Sequence, residues 1–188
     1  MIFLEKYNEA SDALWHQIAV MLNQIWPEML GEPIQGTHAA SLQARSFYAY
    51  SNGKLVSYAG VVRKTIKHCG QTFNLAGLSC VATDPDYQGL GLGLRTVAAA
   101  TRWIEENNNI DIGVFTCESS LTNFYERAGA WPVVPDVKLI GSREESALSS
   151  ESLQVAVLMR QFSAKACAYE SIVRHTTINL DLPVGQFL

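Results

Sequence analysis

Leu14, Ile18, Met21, Leu22 and Ile25 recur at the three- and four-residue spacing of one helix face, so the pattern predicts a helix over SDALWHQIAVMLNQIWPEM. Ser11 or Asp12 can cap it, and Pro27 stops it. A short strand is expected before it, over residues 2 to 7, and the turn-rich GEPIQGTHAAS after it should be irregular. From Ser46 to Asp86 three antiparallel strand-like runs are punctuated by Asn52-Gly53 and Cys69-Gly70. Asn-Gly between two such runs signals a hairpin, because both central residues tolerate positive φ. Leu94, Val97, Ala98, Thr101, Trp103 and Ile104 then fit a helix from Gly91 to about Asn107.

The remainder continues the alternation. IDIGVFTC reads as a buried strand, SSLTNFYERAG as a capped helix closing on Gly129, and WPVVPDVKLIG as a strand that opens irregularly around its prolines. SREESALSSES is a polar loop, SLQVAVLMRQF a last strand, and the tail ending TINLDLPVGQFL is ordered only if its apolar residues dock. The sum is an α+β chain, read as one domain over residues 1–188, with 164–188 as a C-terminal extension.

Composition narrows the partners more than the fold. The 188 residues are 48% apolar with a net charge of -4 and no block of like charge, so attraction to nucleic acid or to an anionic membrane surface is not expected. Apolar runs are too short to span a bilayer, and Glu5 interrupts what would be the core of a leader, which makes the cytoplasm the expected compartment. Four cysteines without a CxxC pair or histidines at metal spacing read as small buried hydrophobes, and no metal is expected.

The stretch DPDYQGLGLGLRTVAAATRWIEEN raises the chemical question. A glycine-rich turn entering a helix offers unpaired backbone N–H groups and the positive end of the helix dipole, which together bind phosphate. It could equally be a bare helix entry that binds nothing. No Gly-Lys-Ser/Thr follows, which excludes the P-loop pattern, and Gly89, Gly91 and Gly93 run GxGxG rather than GxGxxG.

Gln88-Gly89-Leu90-Gly91-Leu92-Gly93 matches the Gln/Arg-x-x-Gly-x-Gly/Ala signature of the GNAT superfamily of N-acetyltransferases. LSCVATDPDYQG resembles that family's lead-in strand, and SSLTNFYERAGAW is similar to its later helix, so the likeness covers about Leu78 to Trp131. The resemblance implies a mixed, mostly antiparallel sheet with a splayed strand pair, flanked by helices. It implies acetyl-CoA as acetyl donor, with the backbone of Gln88, Gly89, Leu90, Gly91, Leu92 and Gly93 on its phosphates and Val81, Ala82 and Thr83 along its pantetheine arm. Asp111 to Cys117 would splay away to form the slot. Asn123 would contact the cofactor, or else be a polar residue on a helix's wet side. Tyr125 would protonate the departing sulfur, or else simply pack beside Phe124.

Relatives carry a glutamate base on the lead-in strand, and the matching position here is Ser79, which cannot deprotonate an ammonium but can hold a water. Glu118 is a substitute base or a first-turn carboxylate. His16 and His68 are expected at the surface, His175 falls in the tail, and His38 lies where a substrate could pass. More loosely, the chain resembles the aminoglycoside 2′-N-acetyltransferase group, which makes Asp181 and the Leu188 carboxylate candidates for an amine pocket. Glu28, Glu32, Asp136, Glu144 and Glu145 are further carboxylates suited to a cationic acceptor. The expected function is acetyl transfer to a primary amine of a small molecule, an aminoglycoside-like cation being one option. A catalytically silent acyl-CoA sensor or interaction module is the alternative. Exposed strand edges allow a homodimer.

Overall fold

The computed structural model describes residues 1–27 and 38–188. Its elements follow the chain in the expected α+β order. Strand β1 (Phe3–Lys6) leads through a 3-10 turn to helix α1 (Asp12–Ile25). Ser11 is the N-cap and accepts the Leu14 N–H, an arrangement that typically stabilises a helix by about 1 kcal/mol. The expected irregular stretch, with Glu28 and Glu32, lies largely outside the described residues. Then come β2 (Arg45–Ser51), β3 (Lys54–His68) and β4 (Gln71–Thr83), followed by α2 (Leu92–Glu106) and β5 (Ile112–Cys117). Helix α3 (Thr122–Gly129), β6 (Val137–Ile140) and β7 (Ala156–Gln161) precede two short helices, α4 (Ala164–Ala168) and α5 (Glu170–Val173), and strand β8 (Thr176–Asn179).

Six strands form one sheet in the order β1-β2-β3-β4-β5-β7. The β1/β2, β2/β3 and β5/β7 pairs are antiparallel, and β4/β5 is parallel with Leu75 and Ala76 opposite Ile112 and Gly113. The β2–β3 turn is the expected one: Asn52 and Gly53 have φ of 50° and 79°, both in the left-handed region where an Asn-Gly hairpin places them.

The chain forms two compact units, Met1–Val62 with Leu78–Arg102, and Arg63–Gly77 with Trp103–Leu188. In the first, Leu14, Ile18 and Leu22 of α1, Phe47 of β2, Val56 and Val61 of β3 and Val97 and Ala100 of α2 are buried. In the second, Phe115 of β5, Trp131, Leu139 of β6, Leu158 of β7 and Ile178 of β8 form the core. Gly113 has no room for a side chain there, since a Cβ would meet the Trp131 ring at 2.5 Å.

Several expectations are corrected. Helix α3 ends at Gly129 as expected, but the left-handed cap, with φ 50°, falls on Ala130 and not on the glycine. Strand β6 stands outside the main sheet and pairs in parallel with β8, so the tail docks through its backbone as well as its apolar residues. Leu180 and Leu182 donate to Ile140 and Gly141, and Thr116 donates to the Leu188 carbonyl. His68 is buried and hydrogen-bonds the Ile172 carbonyl at 2.8 Å, because α5 covers it. Only Cys117 is a buried cysteine; Cys69 and Cys167 are exposed and Cys80 is half-buried. No helix among the described residues is long and apolar enough to cross a membrane.

Candidate functional site

The glycine loop, Ser79 and the end of β4 belong to the first unit. Strand β4 loses its alternation at Ser79, Cys80 and Val81, all three half-exposed, and Cys80 has φ 52°. A non-glycine residue in the left-handed region inside a strand marks a kink, with a strain on the order of 1–2 kcal/mol. The Ser79 hydroxyl lies 3.6 Å from the Cys80 sulfur, and burial pushes the Cys80 thiol above its ordinary pKa. Ala82 is buried, and Thr83 is half-buried at the strand's end.

Asp84 then anchors the turn. Its side chain is 2% exposed, its Oδ1 accepts the Asp86 N–H at 3.0 Å, and its Oδ2 pairs with Lys54 at 2.6 Å. Its own N–H donates to the Val56 carbonyl. Asp84→Ala is expected to cost about 1–2 kcal/mol through loss of the cap, and Asp84→Asn, which keeps an accepting oxygen, less. Urea unfolding of the two variants checks the order.

Beyond Asp84 the backbone is bare and outward. Gln88, Gly89, Leu90 and Gly91 are exposed, and Leu92 and Gly93 are half-exposed. Gly89 and Gly91 have φ of 76° and 72°, and a Cβ on either would meet nothing within 4 Å. Their glycines are therefore required by backbone conformation, while the space beside them is open. The bond entering the helical ladder is Arg95 N–H to the Gly91 carbonyl at 3.1 Å. Leu92, Gly93 and Leu94 thus present first-turn N–H groups that precede the ladder. Open space, left-handed glycines and a row of free amides fit a diphosphate, as the resemblance implies.

Asn123 and Tyr125 sit on α3, in the second unit. Asn123 is exposed. Tyr125 is 6% exposed, and its ring packs edge-on against Phe115 at 4.9 Å and Phe124 at 5.0 Å. Burial pushes its phenol above the ordinary value, with Cys117 adding to the shift, so the proton stays on through the neutral range. The hydroxyl has no partner among the described residues.

Other candidates fall away from catalysis. Glu118 is an exposed residue capping a 3-10 turn and accepts the Ser120 hydroxyl. Asp136 is clamped by Arg174 through two bonds of 2.7 Å, with His175 beside it, and Arg174 holds its carboxyl well below the usual range. Asp181 pairs with Lys64. Glu144 and Glu145 are exposed. His16 is exposed as expected, whereas His38 is not in a substrate's way: it is 5% exposed, with Nε2 3.0 Å from the Tyr58 hydroxyl, which also contacts Ser46 at 3.3 Å. Gly60 makes the room, since a Cβ there would lie 2.5 Å from His38 Nε2. The reading from sequence missed this network and the Lys54–Asp84 anchor; only the lone aspartate before Pro85 hinted at the second.

The family model described as the acetyltransferase (GNAT) family matches residues 15–130. No curated protein matches the chain. Among solved structures, an acyl-CoA N-acyltransferase from Pseudomonas aeruginosa aligns over 85% of this chain and 98% of its own, with 13% identity and a TM-score of 0.58. Escherichia coli ElaA aligns over 86% and 100%, with 15% identity and a TM-score of 0.60. An acetyltransferase of the GNAT family from Streptococcus pneumoniae aligns over 87% and 100%, with 13% identity and a TM-score of 0.55. At these identities the likeness is one of fold.

Proposed function

Because the chain belongs to the GNAT acetyltransferase family, we propose that it is an acetyl-CoA-dependent N-acetyltransferase whose acceptor is a primary amine on a small molecule. The observation that carries this is the loop from Gln88 to Gly93, where two left-handed glycines stand in open space next to the free first-turn amides of α2. The bound cofactor supplies the acetyl group as a thioester, activated for attack by an amine.

The chain's own residues do the rest. Backbone N–H groups of Gly89 to Leu94 hold the diphosphate without a lysine or arginine, which suits a chain of net charge -4. An N–H near Val81, beside the kink at Cys80, would donate to the thioester carbonyl, where a fixed donor stabilises developing negative charge. Tyr125 holds a proton at its hydroxyl for the sulfur. Ser79 orients a water rather than taking a proton itself. The acceptor therefore enters as the free amine. Asp136 is committed to Arg174 by two short bonds and so is not available to a cationic acceptor, whereas Asp181, exposed and only loosely paired with Lys64, remains a candidate.

Calorimetric titration with acetyl-CoA of the parent and of a Gly91→Asp, Gly93→Asp double variant tests the reading. The parent is expected to bind, and the variant to bind at least about tenfold more weakly. Each new carboxylate brings like charge to the diphosphate, and the side chain introduced at position 91 must also tolerate a left-handed φ. A parent that does not bind removes the foundation of the reading. An amine panel beginning with aminoglycosides then identifies the acceptor. One observation favours a second reading, a silent acyl-CoA sensor: Ser79 leaves the kinked strand without a base. Tight binding without turnover on any amine would support it.

A further inference from the structure

Next to the glycine loop two buried hydroxyls and one half-buried hydroxyl meet within the first unit. Thr96, in the second turn of α2, and Ser57, on β3, are both 0% exposed, and Thr83 ends β4. Thr96 Oγ1 lies 3.0 Å from Ser57 Oγ and 3.0 Å from the Leu92 carbonyl. Ser57 Oγ lies 3.2 Å from Thr83 Oγ1 and 3.4 Å from the Ala82 carbonyl. The chain of contacts therefore runs from the carbonyl of the first helical residue to the Ala82 carbonyl and the Thr83 hydroxyl at the end of the strand. It ties together the two ends of the segment that presents the free amides. On the outer side Gln88 Nε2 reaches the Thr83 carbonyl at 3.3 Å.

Burying hydroxyls where valine and alanine would fill the same space is unfavourable unless each is bonded. Here each hydroxyl carries one proton, so three protons serve four contacts. Thr96 donates either to Leu92 or to Ser57, and Ser57 to Ala82 or to a neighbouring hydroxyl. No arrangement satisfies all four contacts at once, and Ser57 takes part in every way of making three. A local bond from a threonine to the carbonyl four residues back also sets the pitch of the first helical turn. The pitch decides where the N–H groups of Leu92, Gly93 and Leu94 point.

We propose that Ser57, Thr83 and Thr96 form a positioning clamp that sets the affinity of the glycine loop for the diphosphate of acetyl-CoA. This rests on the functional reading above and adds to it Ser57 and Thr96, two buried residues outside the loop, joined to Thr83, which the resemblance sets along the pantetheine arm. Fixing donors before the ligand arrives removes an ordering cost from binding, so the clamp acts on affinity rather than on fold. Its members are positioning residues.

The experiment compares the parent with Thr96→Val, Ser57→Ala, the double variant and Thr96→Ser, by calorimetric titration with acetyl-CoA well below each thermal midpoint, so that every sample is fully folded. Thr96→Val and Ser57→Ala are each expected to weaken binding by about tenfold. The double variant should be no worse than about the weaker single, because both remove the same link. Thr96→Ser restores the hydroxyl and should bind within about twofold of the parent. S-Acetylpantetheine, which lacks the diphosphate, serves as competitor at high concentration and should lose no potency in the variants. Parental affinity in both single variants overturns the clamp, as does an equal loss for S-acetylpantetheine or no rescue by Thr96→Ser. A parent that fails to bind acetyl-CoA overturns the functional reading and the clamp with it, whereas a parent that binds alongside unaffected variants overturns the clamp alone.

Discussion

Tyr125→Phe is expected to lower kcat by roughly a hundredfold while leaving the fold and the affinity for acetyl-CoA almost unchanged. The ring's packing is what the core uses: Phe115 and Phe124 meet its edges and faces, and phenylalanine keeps both contacts. The hydroxyl makes no bond among the described residues, so its removal leaves no partner stranded. A buried phenol with a raised pKa is a reluctant acid but a dependable donor, protonated through and well above the neutral range. In its proposed role it would serve the sulfur best as charge develops there, in the transition state rather than before it, so the loss should fall on kcat and not on KM. Steady-state kinetics with any acceptor from the amine panel, together with a thermal midpoint, checks the split. A kcat within about twofold of the parent would remove Tyr125 from the chemistry, and a lowered midpoint would show that its hydroxyl is a packing group after all.

Local features were the legible ones. The Asn52-Gly53 turn and the Ser11 cap could be read because each depends on a few adjacent residues whose backbone preferences are strong. The helix entry at Gly91 could be read for the same reason, while the phosphate-binding role proposed for the loop rests on the family likeness. What stayed hidden depends on distant partners. Cys80 adopts a conformation usually left to glycine, and nothing in LSCVAT marks it. Strands β6 and β8, each only four residues long, pair in parallel with Val137 opposite Thr176, and the polar loop, β7 and two short helices between them give no sign of that register. Ser57 and Thr96 look like ordinary strand and helix residues until the fold brings their oxygens within 3.0 Å. The same holds for His38, which reads as a loop histidine and becomes a core residue only because Gly60, far along the chain, lacks a side chain.

That burial has a thermodynamic consequence. Desolvation holds the His38 imidazole down to about 4, against 6.5 for the exposed group. Among the described residues the groups facing it are the Tyr7 ring and the Tyr58 hydroxyl, and neither supplies a negative charge to stabilise an imidazolium. Between pH 6.5 and 4 the unfolded chain therefore binds a proton at this position that the folded chain does not, and stability rises with pH across that window. On acidification the folded state loses stability from about pH 6.5, and the loss levels off below about pH 4. Linkage puts the fall between pH 7 and pH 5 at about 2 kcal/mol. Asp136 adds a separate loss at lower pH: Arg174 depresses its carboxyl, so its contribution is complete above the ordinary carboxylate pKa and disappears only as pH falls through the folded value. Urea unfolding at about pH 7 and pH 5 of the parent and of His38→Gln, which can keep a bond to Tyr58 and does not titrate, isolates the histidine. The variant is expected to be less stable at about pH 7 through imperfect packing, yet to lose about 2 kcal/mol less than the parent on acidification. Equal losses in the two proteins would mean that His38 takes up its proton in the folded state as readily as in the unfolded one, and the buried Tyr58 network would then have to open to admit the charge.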